Sequence, residues 1–300
     1  TALDASAVST IYNNGTPATS YTNTPTAWYK LNAANSIYNT STSTWKFIDT
    51  QTPTPNYTSA LNFDGTNDYI DCGNDSSLNI TSNLSVSVWF KTSNNGQMVT
   101  KDTGVNGTRS FSFGLVSGKI NATVRDQDGS PLLADTTQTD LTYNDGNWHH
   151  AVFTYEPSTS VKIYVDGNLV KTNTSSIVSK LTDNASTKLT IGAYQNGAFT
   201  EDFNGELSNA QIFNTTLIGL GSNSVETLYN NGTPLVDMSG FTSLKAWWKL
   251  DNTVNGVKDS SSNENDGSIN GNVAQTTTNV LVSNNGTSTT LPSSALVRSD

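Results

Sequence analysis

Two carboxylates at the ends of a short turn are the residues in this sequence best placed to hold an ion. Asp64 and Asp68 flank a Gly-Thr-Asn turn, so carboxylate and backbone carbonyl oxygens gather within a few residues. Hard oxygen donors from one loop are what Ca²⁺ binds, with roughly six to eight donors around each ion. The alternative is that Asp64-Gly65 forms a hairpin turn and that Asp68 is simply exposed. On the sequence the two alternatives have equal weight.

Paired carboxylates that could cleave a glycosidic bond would be a second kind of site. A retaining glycosidase holds two carboxyl groups about 5–5.5 Å apart. The nearest acidic cluster is Glu201-Asp202 with Glu206, and adjacent residues of a strand point to opposite faces. This arrangement disfavours a glycosidase, and we predict that the protein is not an enzyme.

The histidines and the cysteine are predicted to be structural. His149 and His150 are adjacent, so on a strand one imidazole faces inward near Trp148 and the other faces solvent or a neighbouring strand. Nucleophilic catalysis needs a serine or cysteine held by an oriented base, and serine is too common here for its position to be informative. Cys72 is the single cysteine, which excludes a disulfide framework and predicts a small buried side chain.

Composition limits the classes of partner. The formal net charge of −10 disfavours nucleic acid and anionic membranes, and it leaves carboxylates free for cations. No stretch is apolar enough to span a bilayer. Six Trp, eleven Tyr and ten Phe indicate a packed core, although charged residues make up only 13% of the chain. We therefore expect a folded domain with neither a nucleic-acid partner nor a membrane-inserted segment.

Hydrophobic periodicity predicts strands. Apolar residues at every second position of 84–90 alternate with Ser, Trp and Lys, and the segments 120–125 and 161–166 have the same period. Each is predicted to be a half-buried strand with one wet face. Asp166-Gly167 between apolar flanks predicts a hairpin with a two-residue turn. Short strands separated by such turns favour an all-β, two-sheet antiparallel jelly-roll sandwich.

A repeat crosses the middle of the chain. Residues 8–17 (VSTIYNNGTP) return as 225–234 (VETLYNNGTP), and 27–31 (AWYKL) return as 246–250 (AWWKL). The first pair of segments lies 217 residues apart and the second 219. A repeat of this length indicates one full structural unit and a piece of a second. Short peripheral helices are predicted in both copies, over Asp4–Asn14 and Ser222–Asn231, each ending at a glycine, Gly15 or Gly232.

The region from Ala60 to Leu217 resembles laminin-G-like, concanavalin A-like domains of lectins and glucanases. The motifs that carry the resemblance are, in order, LNFDGTNDYI (61–70), LSVSVWF (84–90), DGNWHHAVFTY (145–155), VKIYVDG (161–167), LTIG (189–192) and FNGELSNAQIF (203–213). Such domains often open with a strand like AWYKL. The resemblance therefore implies a helix and linker over 1–25, a jelly roll over 26–234, and the opening of a second repeat over 235–300.

The same resemblance extends the candidate calcium site. Relatives often hold a structural Ca²⁺ between the Phe-Asp-Gly motif and the last strand, which adds Asn209 to Asp64 and Asp68 as ligands. For glycans, the sequence offers two candidate loops but no assigned binding residue. These loops are Tyr194-Gln195-Asn196-Gly197 with Phe199, and Asn106-Gly107-Thr108-Arg109.

The function implied by the resemblance is a non-catalytic carbohydrate-binding or adhesive module outside the cell or on a virion surface. The reuse of segments and the Thr/Asn/Ser bias resemble lectin-like structural proteins of marine bacteriophage particles. The expected partners are a cell-surface or capsular polysaccharide and other virion or repeat subunits. Two alternatives stay open, namely a purely structural self-assembling subunit and a glycoside hydrolase. In the structural alternative, residues 244–300 dock on a neighbouring subunit or domain.

Overall fold

The computed structural model describes residues 36–39, 44–47, 60–128, 131–194 and 201–276. Residues 1–50 and 51–300 form two separate units. In the first unit, β1 (Ser36–Asn39) pairs antiparallel with β2 (Thr44–Phe47). The helix predicted over 4–14 and the strand predicted over 27–31 lie outside the described residues.

In the described part of the second unit, nearly all regular elements are strands. In chain order they are β3 (Ala60–Asp64), β4 (Tyr69–Asp71), β5 (Leu84–Lys91), β6 (Gly96–Lys101), β7 (Phe111–Val116), β8 (Lys119–Asp126), β9 (Leu133–Gln138), β10 (Trp148–Glu156), β11 (Ser160–Val165), β12 (Asn168–Asn173), β13 (Thr190–Ile191), β14 (Asn204–Phe213), β15 (Leu244–Trp248), β16 (Ser268–Asn270) and β17 (Ala274–Thr276). One α-helix, α1 (Val225–Tyr229), and two 3₁₀ turns at Ser76–Leu78 and Asn230–Gly232 complete the described elements.

These strands form two antiparallel sheets. The first sheet has the order β12-β11-β10-β5-β14-β3-β17, and β15 also pairs with β14. The second sheet has the order β16-β4-β13-β6-β7-β8-β9. The chain crosses repeatedly from one sheet to the other, for example from β3 to β4, from β4 to β5 and from β13 to β14. The two sheets form the predicted jelly-roll sandwich, so the fold class is confirmed.

The core lies between the two sheets and follows the predicted period of two. Leu84, Val86, Val88 and Phe90 on β5 all point into it and are fully buried. Across the core, the ring of Phe153 on β10 contacts the rings of Phe113 and Phe111 on β7, at centroid distances of 5.0 and 5.8 Å. The alternation along β5 therefore identified the correct inner face.

The prediction of a wet outer face on β5 is wrong. Ser85, Ser87 and Trp89 are fully buried on that face. They are covered by residues 217–243, which run across the outside of the first sheet and contain α1; we call this segment the cover. A second apolar cluster fills the space beneath the cover, with Leu217, Val225, Leu228, Met238 and Phe241 packed on Val152, Tyr164 and Phe213.

The strands after the cover complete this same sandwich. β15 pairs with β14, β16 with β4, and β17 with β3, all antiparallel. In the structural alternative, residues 244–300 dock on a neighbouring subunit or domain; here Ala246 and Trp248 are fully buried in the core described above. The reason is that β3 covers only the first half of β14, so β15 satisfies the backbone groups of the second half. The domain boundaries at 26–234 and 235–300 stay predictions.

Two local predictions can be compared with backbone angles. Asp166 and Gly167 have φ of +49° and +75°, which is the two-residue turn expected between β11 and β12. α1 begins after Ser224, whose hydroxyl accepts a hydrogen bond from the Thr227 N–H at 3.2 Å. It ends at Tyr229, three residues before Gly232, because Asn230 adopts the left-handed conformation at φ +45°. Within the described residues, no helix has the length and apolar character needed to cross a membrane.

Replacement of Phe153 by alanine is expected to lower the free energy of unfolding by about 3–5 kcal/mol, because a fully buried ring is lost from the centre of the core. Leu141, which is 69% exposed, provides the control, since Leu141→Ala is expected to change stability by less than about 0.5 kcal/mol. Urea unfolding followed by fluorescence measures both. Equal effects of the two substitutions would contradict the placement of the core.

Candidate functional site

Asp68 is fully buried and acts as an acceptor for backbone amides. Its Oδ2 accepts a hydrogen bond from the backbone N–H of Asp64 at 3.0 Å. Its Oδ1 accepts a second from the backbone N–H of Asn272 at 2.5 Å. Asp68 is therefore not the exposed residue of the bare-turn alternative. It joins the turn after β3 to the loop between β16 and β17.

Two further carboxylates lie close to Asp68. Asp64 is exposed, and its Oδ1 accepts a hydrogen bond from the Thr66 N–H at 2.7 Å. Asp202, which the sequence did not single out for metal binding, accepts one from the Asn67 N–H at 2.8 Å. Desolvation raises the pKa of Asp202, and the negative charges of Asp64 and Asp68 raise it further. The three carboxylates thus share one corner of the sandwich.

Asn209 lies elsewhere on the first sheet. Asp64 pairs with Asn204 at the start of β14, and Asn209 is five residues further along, roughly 16 Å away at about 3.3 Å per residue. Asn209 occupies a bulge with φ +51°. There its Oδ1 accepts a hydrogen bond from the indole N–H of Trp247 at 2.6 Å. The structure therefore separates Asn209 from Asp64 and Asp68, because its amide is used to hold Trp247.

Most carboxylate oxygens at the acidic corner are engaged by the protein, and calcium binding there stays a prediction. Ca²⁺ takes roughly six to eight oxygens. Four carboxylate oxygens of Asp64, Asp68 and Asp202 already accept backbone N–H groups. In the part of the chain that the structure describes, no group of three His, Cys, Asp or Glu side chains is arranged to hold a metal ion. The corner is best explained as a fastening between β3, β14 and the loop before β17.

His149 is a structural clamp. Its Nδ1 lies 2.9 Å from Asp166 Oδ2 and its Nε2 lies 3.2 Å from Asp145 Oδ1. Burial lowers the pKa of His149, but the hydrogen bonds and charges of Asp166 and Asp145 outweigh burial and raise the pKa above its usual value. The imidazole therefore ties the turn before β10 to the hairpin between β11 and β12.

His150 points the other way, into the layer beneath the cover. Its ring stacks on Trp89 and Tyr229 with centroids 4.9 and 6.1 Å away, and its Nε2 is 2.8 Å from Ser87 Oγ. A serine at hydrogen-bond distance from histidine is the arrangement of a nucleophile and its base. Here, however, Nδ1 has no partner within the described residues to orient the ring, and burial lowers the pKa of His150 to about 3. The stack is a packing element.

One residue from each candidate glycan loop, Arg109 and Tyr194, lies near Asp102 and Arg125. Arg109 donates to Asp102 Oδ1 at 2.9 Å, and Arg125 of β8 donates to Oδ2 at 2.8 Å. Tyr194 is buried and hydrogen-bonds to Arg125. The remaining members of that loop, Gln195, Asn196, Gly197 and Phe199, lie outside the described residues. This network holds the polar face together, and its buried groups are already engaged with one another.

Glu201, Asp202 and Glu206, the acidic residues considered for glycoside hydrolysis, each contact a different partner. Glu206 Oε1 accepts from Lys91 Nζ at 3.1 Å, and Glu201 Oε2 accepts from Gln97 Nε2 at 2.7 Å. Asp202 belongs to the acidic corner. These three side chains are therefore engaged by a cation, an amide and the backbone.

An open cleft lies where the cover meets β15 and the loop after it. Its volume is about 430 Å³. Buried apolar side chains form its floor, and short polar side chains surround it. The floor consists of Met238, Phe241 and Trp247, and the rim includes Asp237, Ser239, Thr242, Ser260, Ser261 and Ser262.

Hydrogen bonds to the backbone of Trp247 fix the loop that forms one side of the cleft. The Trp247 N–H donates to Asp259 Oδ1 at 2.8 Å, and the Ser260 N–H donates to the Trp247 carbonyl at 2.7 Å. These bonds place the serine run 260–262 beside the tryptophan. From the sequence we assigned Trp247 to the opening strand of a second repeat and did not recognise a site. The available signal was a repeated tryptophan followed by a run of hydroxyl side chains.

Replacement of Asp68 by asparagine is expected to destabilise the protein by about 1–3 kcal/mol, because one buried backbone N–H then faces an amide NH₂. Asp64→Asn, at an exposed neighbouring position, is the matched control and is expected to cost less than about 0.5 kcal/mol. Thermal unfolding of both variants with and without millimolar calcium is the measurement. A calcium-dependent rise in melting temperature that disappears in Asp68→Asn would contradict the structural role.

Stability is expected to fall as the pH is lowered below 6.5, because His150 stays neutral in the folded state while it takes up a proton when unfolded. Its folded pKa of about 3 lies below the unfolded value, so the contribution is present above about pH 6.5 and is lost toward pH 3. Between pH 6.5 and 5 the loss is about 1.5 kcal/mol. His150→Phe should lack this slope. A variant with the wild-type slope would show that another group titrates.

Comparison with known proteins identifies the family. The family model described as "Concanavalin A-like lectin/glucanases superfamily" (Laminin_G_3) matches residues 64–218, just over half of the chain. A search of curated proteins finds no significant match.

Solved structures with a similar fold include three from different sources. A candidate carbohydrate-binding protein from Bacteroides ovatus ATCC 8483 matches at 15% identity and a TM-score of 0.52, over 74% of this chain and 60% of that one. The SAP-like pentraxin of Limulus polyphemus matches at 18% identity and 0.43, over 58% and 82%. Domains LG4-5 of mouse laminin α1 match at 17% and 0.41, over 52% and 41%. The motifs, the two-sheet sandwich and the family match agree, and the chain belongs to the concanavalin A-like lectin/glucanases superfamily.

Proposed function

We propose that this chain is a non-catalytic carbohydrate-binding module that holds a neutral polysaccharide in the cleft at Trp247. The observation that carries this proposal is an aromatic floor surrounded by hydroxyl groups in one open cleft. The polysaccharide is displayed on a cell or virion surface. That setting rests on the sequence resemblance alone.

The chemistry of the cleft suits a sugar ring. A pyranose has apolar C–H faces that pack on aromatic rings, and hydroxyls that exchange hydrogen bonds with hydroxyl side chains. The exposed parts of Trp247 and Phe241, 6% and 5% of each residue, provide the first kind of contact, and the serines at 260–262 with Thr242 provide the second. The cleft volume of about 430 Å³ lies in the usual range for small-ligand sites.

Charge favours a neutral glycan over an acidic one. The chain has a formal net charge of −10, and Asp237 stands on the rim of the cleft. An acidic sugar would be repelled by both, at short range and at long range. The proposed ligand is therefore a neutral polysaccharide, bound through stacking and hydroxyl contacts.

The floor of the cleft is organised in advance of binding. The Trp247 indole is fixed by its hydrogen bond to Asn209, and Lys249 Nζ lies 5.0 Å from the centroid of its ring. A side chain already held in place loses little conformational entropy when a ligand binds. The similarity in fold to the Bacteroides ovatus protein, to which carbohydrate binding is attributed, agrees with this proposal.

Replacement of Thr242 by tryptophan fills the cleft and is expected to reduce binding at least tenfold on an array of neutral glycans. Thr136→Trp is the matched control, since Thr136 is also exposed but lies on β9 of the second sheet. It should bind like the wild type. EDTA should not change the binding, because no calcium is required at this cleft.

The outcomes separate the possible sites. Loss of binding in Thr136→Trp with full binding in Thr242→Trp would move the site to the outer face of the second sheet. Binding of no glycan by the wild-type chain would contradict the proposal and favour the structural alternative.

A further inference from the structure

The layer between the first sheet and the cover contains polar atoms that are sealed from solvent and have no hydrogen-bond partner among the described residues. They are the indole N–H of Trp89, Nδ1 of His150, the hydroxyl of Thr154 and both ends of the Gln211 amide. We propose that this layer is a binding site for buried water molecules, which bridge Trp89, His150 and Gln211. This inference does not depend on glycan binding.

These atoms are concentrated on one face of the molecule. The four residues that carry them are each at most 1% exposed. They hold five of the nine unpartnered side-chain atoms of the described residues, and the other four atoms are spread over Asn79, Gln97, Ser110 and Thr137. A native protein leaves few buried polar atoms without a partner, and ordered water often supplies the partner. Five such atoms on one face therefore point to water bound in common.

Strand register brings three of these residues together. Trp89 lies opposite His150 in the pairing of β5 with β10, and Ser87, two residues along β5, lies opposite Gln211 of β14. Neighbouring strands are roughly 4.8 Å apart, and residues on one face of a strand repeat at roughly 6.7 Å. The backbones of Trp89 and Gln211 are thus roughly 8 Å apart by the same spacings. Their long side chains extend over the same small area, where one water can reach both.

Short side chains in the middle of this area leave room for water. Ser87 lies between Gln211 and Val152 of the two adjacent strands, and Ser208 lies opposite Trp89 on β14. Both serines are fully buried. A serine fills much less volume than the aromatic rings beside it, whereas protein interiors leave few voids larger than a water molecule. Bound water fills this space and also supplies the partners that the polar atoms lack.

The His150 ring needs a partner that the protein does not provide. Its Nε2 lies 2.8 Å from Ser87 Oγ, and its Nδ1 is buried with no partner among the described residues. A neutral imidazole has a donor on one nitrogen and an acceptor on the other, so Nδ1 requires a partner in either tautomer. The stack on Trp89, with centroids 4.9 Å apart, holds the plane of the ring. Water both donates and accepts, so it suits either tautomer.

The mixture of donors and acceptors indicates water rather than an ion. Trp89 Nε1 and Gln211 Nε2 can only donate, whereas Gln211 Oε1 can only accept. A cation would need acceptors alone, and an anion would need donors alone. The apolar clusters that border the layer also provide no charge to balance an ion. A buried water makes about three hydrogen bonds, which matches the number of side chains that converge here.

The first test is a crystal structure of the whole chain at a resolution that shows ordered water. We expect at least one water within hydrogen-bond distance of two of the three side chains Trp89, His150 and Gln211. A dry layer, or one in which protein atoms supply the partners, would overturn the proposal. This test needs no variant, so it stands even if a substitution in the layer disturbs folding.

The second test counts long-lived internal water in solution, by magnetic relaxation dispersion of the solvent. Gln211→Leu keeps a side chain of similar size without either end of the amide, and it is expected to lower the count by at least one. Gln138→Leu is the matched control, because Gln138 is a partly exposed strand residue of the second sheet, and it should leave the count unchanged. Equal counts in the wild type and Gln211→Leu, or an equal loss in both variants, would overturn the proposal.

Discussion

Burial of the first sheet on both faces is the constraint on which most of this structure depends. The inner face packs on the second sheet, as in any sandwich, but the outer face carries Trp89, His150 and Ser87, which are all removed from water. Strands covered on both sides gain apolar contact area on each face, at roughly 25 cal/mol per Å². They also require every polar group between the layers to be placed with care. Ser87 Oγ and His150 Nε2 meet this requirement for each other, whereas His150 Nδ1 and the Trp89 indole N–H have no partner among the described residues.

The cover also creates the candidate binding site. The cleft at Trp247 lies at the boundary between the cover and β15, so its apolar floor is an extension of the cluster that holds the cover on the sheet. Its hydroxyl rim is exposed because it belongs to loops at the surface. Trp247 belongs to both regions, because it packs beneath the cover, bonds to Asn209 and forms part of the floor of the cleft.

The sequence predicted those elements whose physics is local. Alternation along 84–90 identified the inner face of β5, and Asp166-Gly167 identified a hairpin, since both follow from neighbouring residues and backbone geometry. The wet face expected for β5 was wrong because its cover is supplied by residues more than a hundred positions away. The acidic corner was predicted in part: Asp64 and Asp68 are together, whereas Asp202 joins them and Asn209 does not. Asn209 lies in a bulge of β14, where its side chain bonds to Trp247. The spacing of residues in a sequence motif does not reveal such a bulge.

The sequence by itself determined the all-β class, the family motifs and the existence of two copies of one segment. It did so because strand period, turn chemistry and repetition are properties of residues close together in the chain or of direct identity. Tertiary structure alone decided where the segment 225–250 sits and which residues surround the cleft. It also decided which groups the histidines and carboxylates contact. These outcomes depend on which distant backbone groups pair and which faces are left without water, and such long-range packing is set by the whole fold at once.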